Sequence, residues 1–331
     1  MSILVTGAAG FIGMHVCKAL ISRGEHVVGI DNLNDYYDVA LKLARLSCIN
    51  EVGNFKFIEL DFSDQKKLQD ALCRQKITKI VHLGAQAGVR YSIKNPSAYV
   101  QSNLVGHVNI LEIARNIDGF EHLVYASSSS VYGGNELMPF SEKHAVNTPV
   151  SLYAATKKSD ELISQSYAHL YRIPMTGLRF FTVYGPWGRP DMAYWLFTKA
   201  ILAGKEIKVF NNGDMRRDFT YVDDIVGGII GCLYKAPIDD GRYYIDNSNA
   251  PHRVFNIGNN KSENLLEMIE LLEGAIGKKA VKVFLPMQPG DVKETYADIS
   301  AIEKDIGYFP STSIQVGLPS FVSWYRQFYE I

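Results

Sequence analysis

The sequence has few of the features that mark metal-binding, disulfide-bonded or membrane proteins. Four cysteines occur among 331 residues, at Cys17, Cys48, Cys73 and Cys232, without C-x-x-C spacing or a nearby histidine pattern. Scattered cysteines of this kind indicate free thiols in a reducing compartment. No apolar run reaches the roughly 18 residues needed to cross a membrane. We therefore expect no metal site and no membrane-spanning segment.

The sequence also lacks an excess of charge of either sign. Lysine and arginine number 34, aspartate and glutamate number 35, and the net charge is −1. A nucleic-acid-binding domain usually carries a basic patch, so we expect no nucleic-acid partner. Because Met1 and Ser2 lead straight into a predicted strand, we expect no signal peptide and a cytoplasmic location.

Strand and helix patterns alternate through the first half of the chain. Short apolar runs of strand length alternate with segments of helical periodicity. The predicted strands are 3–6, 26–30, 55–60, 79–83 and 122–126, and the predicted helices are 11–22, 63–73, 96–116 and 151–171. Repeated strand–helix–strand units predict an α/β fold, a Rossmann-like doubly wound parallel sheet with helices on both faces.

The regular alternation ends at about residue 181. The run Gly-Pro-Trp-Gly-Arg-Pro at 185–190 is typical of a loop, and shorter elements follow it. A chain of 331 residues also exceeds the roughly 100–200 residues of a usual domain. We therefore expect a first, Rossmann-like domain at 1–180 and mainly a smaller α/β lobe, built to bind a ligand, at 181–331. Segments around 215–260 are expected to return to the first domain.

A glycine-rich turn joins the first predicted strand to the first predicted helix. Gly7, Gly10 and Gly13 have the spacing G-x-x-G-x-x-G. Glycines there let the backbone approach a pyrophosphate, which the N–H groups of the helix start can bind. Asp31 ends the second strand, where its carboxylate can bond both ribose hydroxyls of an adenosine and would repel a 2′-phosphate. The turn could be ordinary turn chemistry, but its context favours NAD, so we expect 1–180 to be an NAD-binding domain and the lobe at 181–331 to bind the substrate.

A tyrosine and a lysine lie four residues apart on a predicted helix. At this spacing Tyr153 and Lys157 share one face of the helix. A free phenol ionises only near pH 10, and a neighbouring positive charge favours the phenolate. The pair could therefore act as a proton acceptor near neutral pH, although the spacing alone is common on amphipathic helices.

A run of serines follows the fifth predicted strand. Residues 127–130 are all serine, and ligands of open parallel sheets bind beyond the carboxyl ends of the strands. An isolated serine run would more often be a solvated loop. Here it reaches the same sheet edge as the glycine turn, so its hydroxyls are candidates for ligand binding.

Together these residues resemble the extended short-chain dehydrogenase/reductase family over nearly the whole chain. The resemblance also rests on Asp61, His82-Leu83-Gly84-Ala85, Asn103, Val131-Tyr132-Gly133, and the runs at 179–186, 217–224 and 289–291. It implies that Ser128 works beside Tyr153 and Lys157. Gly84 departs from the alanine that the family commonly has. The predicted cofactor-binding residues are Gly7, Gly10, Phe11, Ile12, Gly13, Asp31, Asn32, Asp61, Phe62, Leu83, Gly84, Ala85, Ala87, Asn103, Ser127, Tyr153, Lys157, Phe180 and Val183.

The resemblance also narrows the reaction within the nucleotide-sugar branch of the family. Dehydratases of this branch have Asp-Glu after the catalytic threonine, whereas Ser129 and Ser130 stand here and lack the carboxyl chemistry of elimination. The runs at 86–92, 186–193 and 287–292 resemble UDP-glucuronate 4-epimerases. This implies NAD-dependent interconversion of UDP-glucuronate and UDP-galacturonate through a 4-keto sugar. A UDP-glucose 4-epimerase and a UDP-glucuronate decarboxylase remain alternatives.

A UDP-hexuronate substrate requires donors for its carboxylate. Hydroxyls and a guanidinium are suited to this, because charge-assisted hydrogen bonds bind carboxylates strongly. Arg90 and Arg189 could instead be solvated surface residues, and Phe210 could be a core residue that does not stack on uracil. The predicted substrate-binding residues are Arg90, Ser128, Ser129, Ser130, Tyr153, Thr182, Arg189, Phe210, Arg217, Gln288 and Asp291. Family analogy implies a homodimer formed by the helices at 96–116 and 151–171.

Overall fold

A parallel sheet of seven strands lies at the centre of the described structure. The structure is a computed structural model and describes residues 1–241, 248–287 and 292–331. The central strands are β1 (Ser2–Thr6), β2 (His26–Asp31), β3 (Phe55–Glu59), β4 (Ile77–His82), β5 (His122–Ser128), β6 (Met175–Phe180) and β10 (His252–Ile257). Their order is β10-β6-β5-β4-β1-β2-β3, and every pairing is parallel. Since β3-β2-β1-β4-β5-β6 is the Rossmann order, the expected fold class is confirmed.

Helices cover both faces of this sheet. The helices in chain order are α1 (Phe11–Ile21), α2 (Val39–Asn50), α3 (Gln65–Leu72), α4 (Val89–Lys94), α5 (Pro96–Tyr99), α6 (Gly106–Arg115), α7 (Leu152–Tyr171), α8 (Ala193–Leu202), α9 (Val222–Leu233), α10 (Leu265–Ile276), α11 (Ser300–Ile306) and α12 (Ile314–Tyr329). Ile3 and Val5 of β1 join the core with α1 and α9, whereas Leu4 joins the core with α3, α6 and α7. A strand buried on both faces needs a continuous apolar run, which is what β1 has.

The expected single helix at 96–116 is a helical stretch of three parts. Between α5 and α6 the backbone makes a π-helical turn at Val100–Val105. Such turns are frequent at functional sites, and this one directs the buried Asn103 toward Gln86 and Thr156. Gly106 follows, where a Cβ atom would lie 2.3 Å from Cε2 of Phe62. The π turn and the glycine therefore let this stretch pack closely behind the carboxyl edge of the sheet.

The second lobe is built from the remaining strands and from α8, α10 and α12. The remaining strands are β7 (Thr182–Tyr184), β8 (Glu206–Val209), β9 (Arg216–Tyr221), β11 (Ser262–Asn264) and β12 (Val281–Phe284). β7, β9 and β11 form one small sheet, and β8 pairs with β12. A separate aromatic-rich core lies under these elements. Between these elements in the chain, α9 packs on α1 and β10 pairs with β6.

The cysteines are free thiols at all four positions. Within the described residues, no helix has both the length and the apolar character needed to span a bilayer. The same residues contain no group of three or more histidine, cysteine, aspartate or glutamate side chains arranged to hold a metal ion.

Candidate active site

A cavity of about 710 Å³ lies between the carboxyl edge of the central sheet and the second lobe. Most of the residues predicted from the sequence contribute to its wall. These are Gly7, Gly10, Phe11, Ile12, Gly13, Asp31, Asn32, Phe62, Leu83, Gly84, Ala85, Ala87, Arg90, Ser127, Ser128, Ser129, Ser130, Tyr153, Lys157, Phe180, Thr182, Val183, Arg189, Phe210 and Arg217. Gln288 and Asp291 lie outside the described residues. The structure therefore brings most of the predicted cofactor and substrate residues to one cavity.

Two of the predicted residues do not line the cavity. Asp61 is exposed, and its Oδ2 accepts a hydrogen bond of 3.0 Å from Nδ2 of Asn32. Asn103 is buried, where its Oδ1 accepts from the backbone N–H of Gln86 at 2.8 Å and its Nδ2 donates to Oγ1 of Thr156 at 3.0 Å. Asn103 thus orders the backbone of a wall segment and does not face the cavity itself.

The glycine positions of the turn have no room for a side chain. Gly7 has a φ of +70°, and a Cβ atom on Gly13 would lie 2.0 Å from the carbonyl oxygen of Gly7. A Cβ on Gly84 would lie 2.6 Å from Cε1 of Phe62 and 3.1 Å from the backbone nitrogen of Gly7. The departure from alanine at position 84 therefore has a steric reason. The close approach of these backbones leaves a cradle of N–H groups suited to a pyrophosphate.

Asp31 is held at the end of β2 by two backbone hydrogen bonds. Its Oδ2 accepts from the N–H of Ala9 at 3.2 Å, and its Oδ1 accepts from the N–H of Leu33 at 2.9 Å. Burial raises the pKa of this carboxyl above its usual value, while the charge of Lys42, 3.9 Å away, opposes the rise. A fixed carboxylate next to the glycine turn fits an adenosine ribose. The residues present therefore fit a dinucleotide.

Helix α2 supplies two cations that sequence reasoning missed. Lys42 is buried at the cavity wall, and its Nζ also donates to Oδ1 of Asn34 at 3.1 Å. Arg45 is buried and donates to the carbonyl oxygens of Ala9 at 3.1 Å and Trp187 at 2.7 Å, so it links the glycine turn to the 185–190 loop. The apolar spacing within 39–50 could have revealed the helix. Nothing local distinguishes these cations from surface ones.

The candidate base and its lysine lie at the start of α7. Ser151 caps this helix, since its Oγ accepts from the N–H of Ala154 at 3.1 Å. Tyr153 is half-buried in the cavity wall, with its ring edge-on to Tyr99 at a centroid distance of 6.0 Å. Lys157 is buried one turn further on, and its Nζ donates to the carbonyl oxygen of Ala126 at 2.9 Å. α7 therefore presents both side chains to the cavity beside the end of β5.

The four serines after β5 divide into two groups. Oγ of Ser127 donates to Oε1 of Glu161 at 2.7 Å, so this hydroxyl is occupied by an internal partner. Oγ of Ser128 accepts from the N–H of Ser130 and donates to its Oγ, both at 3.1 Å. Ser128, Ser129 and Ser130 lie in a tight turn that lines the cavity. Their hydroxyls are the ones placed to reach a ligand.

Arg189 has a carboxylate partner inside the cavity. Its Nε donates to Oδ1 of Asp191 at 3.0 Å and its Nη2 to Oδ2 at 2.5 Å, and the hydroxyl of Tyr36 donates to the same Oδ2 at 3.2 Å. Burial and the charge of Asp191 raise the pKa of Tyr36 to about 12. Although burial opposes it, the Arg189 guanidinium holds the pKa of Asp191 below its usual value. Sequence reasoning missed both Asp191 and Tyr36.

Part of the cavity wall is formed by Arg90 of α4 together with Phe210 and Arg217 from the second half of the chain. The guanidinium carbon of Arg90, on α4, lies 5.5 Å from the ring centroid of Phe210 in the second lobe. Arg217 donates from its Nη2 to the carbonyl oxygen of Val292 at 2.7 Å and from its Nη1 to that of Lys293 at 3.1 Å. Arginines and an aromatic ring in this part of the wall are suited to a charged, planar nucleotide.

Comparison with known proteins identifies the family. The family described as GDP-mannose 4,6 dehydratase matches residues 4–320. The chain belongs to this family. Among its relatives is UDP-glucuronate 4-epimerase 4 of Arabidopsis thaliana, which is 48% identical over 333 residues, covering 99% of this chain and 76% of the relative. Membership of the nucleotide-sugar branch, expected from the motifs, is thereby confirmed.

Solved structures of the family share the whole architecture. UDP-glucuronic acid 4-epimerase from Bacillus cereus, in complex with UDP-glucuronic acid and NAD, is 36% identical with a TM-score of 0.88, covering 99% of this chain and 100% of that one. UDP-glucose 4-epimerase from Thermotoga maritima, with UDP-glucose, is 29% identical with a TM-score of 0.85 over 99% of this chain and 100% of that one. Both are 4-epimerases of UDP-sugars, and they differ in the sugar.

Proposed function

We propose that this protein is an NAD-dependent 4-epimerase that interconverts UDP-glucuronate and UDP-galacturonate. The observation that carries this proposal is the placement of Ser128, Tyr153, Lys157 and Arg189 in one cavity with the glycine turn. The first three are the set needed for oxidation and reduction at one carbon, and Arg189 provides a cation for a carboxylate. The relatives named UDP-glucuronate 4-epimerase, at 48% and 36% identity, support the same substrate.

NAD is the cofactor that the residues of the first domain fit. The backbone N–H groups of the glycine turn would bind the pyrophosphate, and Asp31 would bind the adenosine ribose. Lys157 would bind the nicotinamide ribose from the start of α7. When bound, NAD supplies an acceptor for a hydride from C4 of the sugar and returns it. Because the cofactor is regenerated in each cycle, we expect the protein to keep it bound.

The residues of α7 and the serine turn carry the proton transfer. The Tyr153 phenolate takes the proton of the sugar 4-hydroxyl while C4 is oxidised. Lys157 stabilises that phenolate by its charge, and Oγ of Ser128 orients the sugar O4. The 4-keto sugar then turns about its phosphate linkage, and Tyr153 returns the proton to O4 after reduction on the other face. The same tyrosine serves as base and acid, so no net proton is consumed.

The residues around the sugar determine whether the 4-keto intermediate is epimerised, decarboxylated or dehydrated. The C5 carboxylate of a 4-keto uronate is β to the ketone and leaves as CO₂ when its bond is perpendicular to the carbonyl plane. Hydroxyls of Ser129, Ser130 and Thr182, with Arg189, would hold the carboxylate where this overlap is poor. Dehydration is disfavoured because no carboxylic acid stands at positions 129 and 130. These residues of the cavity wall therefore favour epimerisation over decarboxylation and dehydration.

The nucleotide of the substrate belongs at the part of the cavity wall that Arg90, Phe210 and Arg217 form. Arg217 would bind the diphosphate, and Phe210 would stack on the uracil beside Arg90. Gln288 and Asp291 are assigned to the uridine ribose by family resemblance. A neutral UDP-hexose would use the same nucleotide contacts, which is why UDP-glucose is the second candidate substrate, favoured by the 29% identical relative.

We also propose that the protein is a cytoplasmic homodimer. Leu162 and Leu170 of α7 expose 59% and 62% of their surface, and Val100, the first residue of the π-helical turn that precedes α6, exposes 43%. Because α6 and α7 pack side by side, the same face on a second copy could pair with it as a four-helix interface. Free thiols at all four cysteines fit a reducing compartment such as the cytoplasm.

The function is tested by following the fate of UDP-glucuronate labelled with carbon-13 in its carboxyl group. Purified protein is incubated with the substrate, and the product is identified by NMR, with UDP-glucose in a parallel reaction and Tyr153→Phe as the inactive control. We expect UDP-galacturonate that retains the label. Release of labelled CO₂ would identify a decarboxylase, and turnover of UDP-glucose alone would identify the second candidate.

A further inference from the structure

A buried carboxylate contacts Lys157 that the proposed mechanism does not use. Asp160 lies one turn after Lys157 on α7 and is only 1% exposed. Its Oδ2 accepts a hydrogen bond of 3.1 Å from Nζ of Lys157. Its Oδ1 is buried and has no hydrogen-bond partner in the described part of the chain. A buried carboxylate oxygen without a partner costs free energy, so a role in fold stability alone is a poor explanation of Asp160.

The groups around Asp160 leave Lys157 as its partner. On the same helix, Glu161 is already paired with Arg179 of β6. From α6, Nε2 of the His107 ring is hydrogen-bonded to Oγ of Ser164 at 2.8 Å, and burial lowers the pKa of that ring to about 3, so it is uncharged at neutral pH. From β5, burial raises the pKa of Tyr125 well above its usual value, so it is uncharged as well.

Helical spacing places Lys157 between the other two groups. Tyr153, Lys157 and Asp160 follow one another at intervals of four and three residues, so they lie along one face of α7. An ammonium has three N–H donors, and Lys157 uses one for Asp160 and one for Ala126. One donor remains for the side of the cavity where Tyr153 stands. The Asp160 carboxylate therefore sets the direction of the Lys157 ammonium. Its negative charge also offsets part of the positive charge that Lys157 exerts on Tyr153.

We infer that Asp160 is a positioning residue, which anchors the Lys157 ammonium and limits the positive charge that it presents to Tyr153. The inference rests on the proposed function of Tyr153 and Lys157. Replacing the carboxylate by an amide keeps the shape and an acceptor oxygen but removes the negative charge. Without that charge, Lys157 favours the Tyr153 phenolate more strongly. The enzyme would then stay active at lower pH but would hold its lysine less firmly.

The test compares Asp160→Asn with wild type and with Asp118→Asn, which removes an exposed carboxylate outside the cavity. Two readouts are measured on the NAD-bound protein: kcat/KM against pH, and tyrosinate by ultraviolet difference absorbance, with Tyr153→Phe as reference. For Asp160→Asn, we expect the acid limb and the tyrosinate midpoint both to move down by about 0.5–1 pH unit, as expected for loss of a charge roughly two helical turns away. We also expect kcat at its optimum to fall several-fold.

Asp118→Asn should leave both curves where they are in wild type. A fall in kcat with an unmoved midpoint, or a midpoint that moves up, would overturn the inference and leave Asp160 a structural residue. Should Asp160→Asn fail to fold, Asp160→Ser removes the same charge in a smaller side chain and is expected to show the same shift. Because the tyrosinate titration needs no substrate, it separates failure of this inference from failure of the proposed function.

Discussion

Arg189 reaches the cavity with a partner already in place. Asp191 occupies its Nε and one of its terminal nitrogens, and Tyr36 ties that carboxylate to the segment after β2. An arginine has five N–H donors, so donors remain for a second carboxylate. The pair therefore orients the guanidinium in advance, and a substrate carboxylate would meet a cation whose direction is set.

Replacing Arg189 should reduce the preference for a uronate. We expect Arg189→Ala to lower the ratio of kcat/KM for UDP-glucuronate over UDP-glucose by about 10–100-fold, because a charge-assisted hydrogen bond contributes roughly 1.5–3 kcal/mol. Steady-state assays with both substrates measure the ratio, and released CO₂ is measured in the same reactions. Arg189→Lys is the matched control and should be intermediate, since it keeps the charge but loses the planar fork. An unchanged ratio and unchanged CO₂ in Arg189→Ala would contradict the assignment.

At the scale of the secondary-structure elements, helix α7 is attached to the central sheet through its acidic residue Glu161. Glu161 follows Lys157 by one turn, and it accepts from Nε of Arg179 at 2.8 Å and from Nη2 at 2.9 Å. Arg179 belongs to β6, and the hydroxyl of Ser127 on β5 binds the same carboxylate. Burial would raise the pKa of Glu161, but the hydrogen bonds and charge of Arg179 lower it to about 2. This contact fixes the helix that carries Tyr153.

Loss of the Glu161 charge should destabilise the protein. Glu161→Gln leaves Arg179 buried without its counter-charge, which typically costs about 3–5 kcal/mol. We expect a free energy of unfolding lower by that amount at neutral pH, measured by urea denaturation followed by circular dichroism. Glu136→Gln, at an exposed position, is the control and should match wild type. Equal stability of the two variants would show that the pair contributes nothing.

The difference in unfolding free energy between wild type and Glu161→Gln should change with pH in a defined direction. The pKa of Glu161 is about 2 when folded and near its usual 4.5 when unfolded, so the unfolded state binds more protons in that interval. Its stabilising contribution is therefore complete above about pH 4.5 and is lost as the pH falls toward about 2. The gap in unfolding free energy between wild type and Glu161→Gln should accordingly narrow on acidification. A gap that stays constant with pH would contradict this assignment.

At the scale of the whole molecule, the cavity exists only because the two halves of the chain meet. Arg45 of the first domain donates to the carbonyl oxygens of Trp187 and Gly188 in the loop that leads into the second lobe. Strand β10 and helix α9 return to the central layers, so the second lobe is attached at several points along the chain. The cofactor wall and the substrate wall are thereby held in a defined relation.

At the scale of the whole molecule we also predict the oligomeric state of the protein, a homodimer. We expect wild type to scatter light as a dimer and Leu162→Glu/Leu170→Glu to scatter as a monomer, because buried unpaired carboxylates on α7 would oppose the interface. Phe309→Glu is the matched control, since Phe309 is 75% exposed on another part of the surface, and it should remain dimeric. A monomeric wild type, or a dimeric double variant, would refute the four-helix interface.

The amino-acid sequence by itself determined five of the seven strands of the central sheet, the glycine turn, Asp31 and the spacing of Tyr153 and Lys157, whereas β6 and β10 were not predicted. Each depends on short-range patterns: apolar runs define buried strands, and intervals of four residues define a helix face. The parallel topology then brings the carboxyl ends of the strands to one edge, so residues at those ends meet.

Tertiary structure alone decided the partners of the charged side chains. Tyr36 meets Asp191 across 155 positions of sequence, and Arg45 reaches Trp187 across 142. No local spacing encodes such pairs, because a surface cation and a buried, paired one have the same sequence signature. The burial of Asp160 behind Lys157 likewise depends on how α7 packs against the sheet and α6. Charge, burial and orientation in this site are properties of the folded chain.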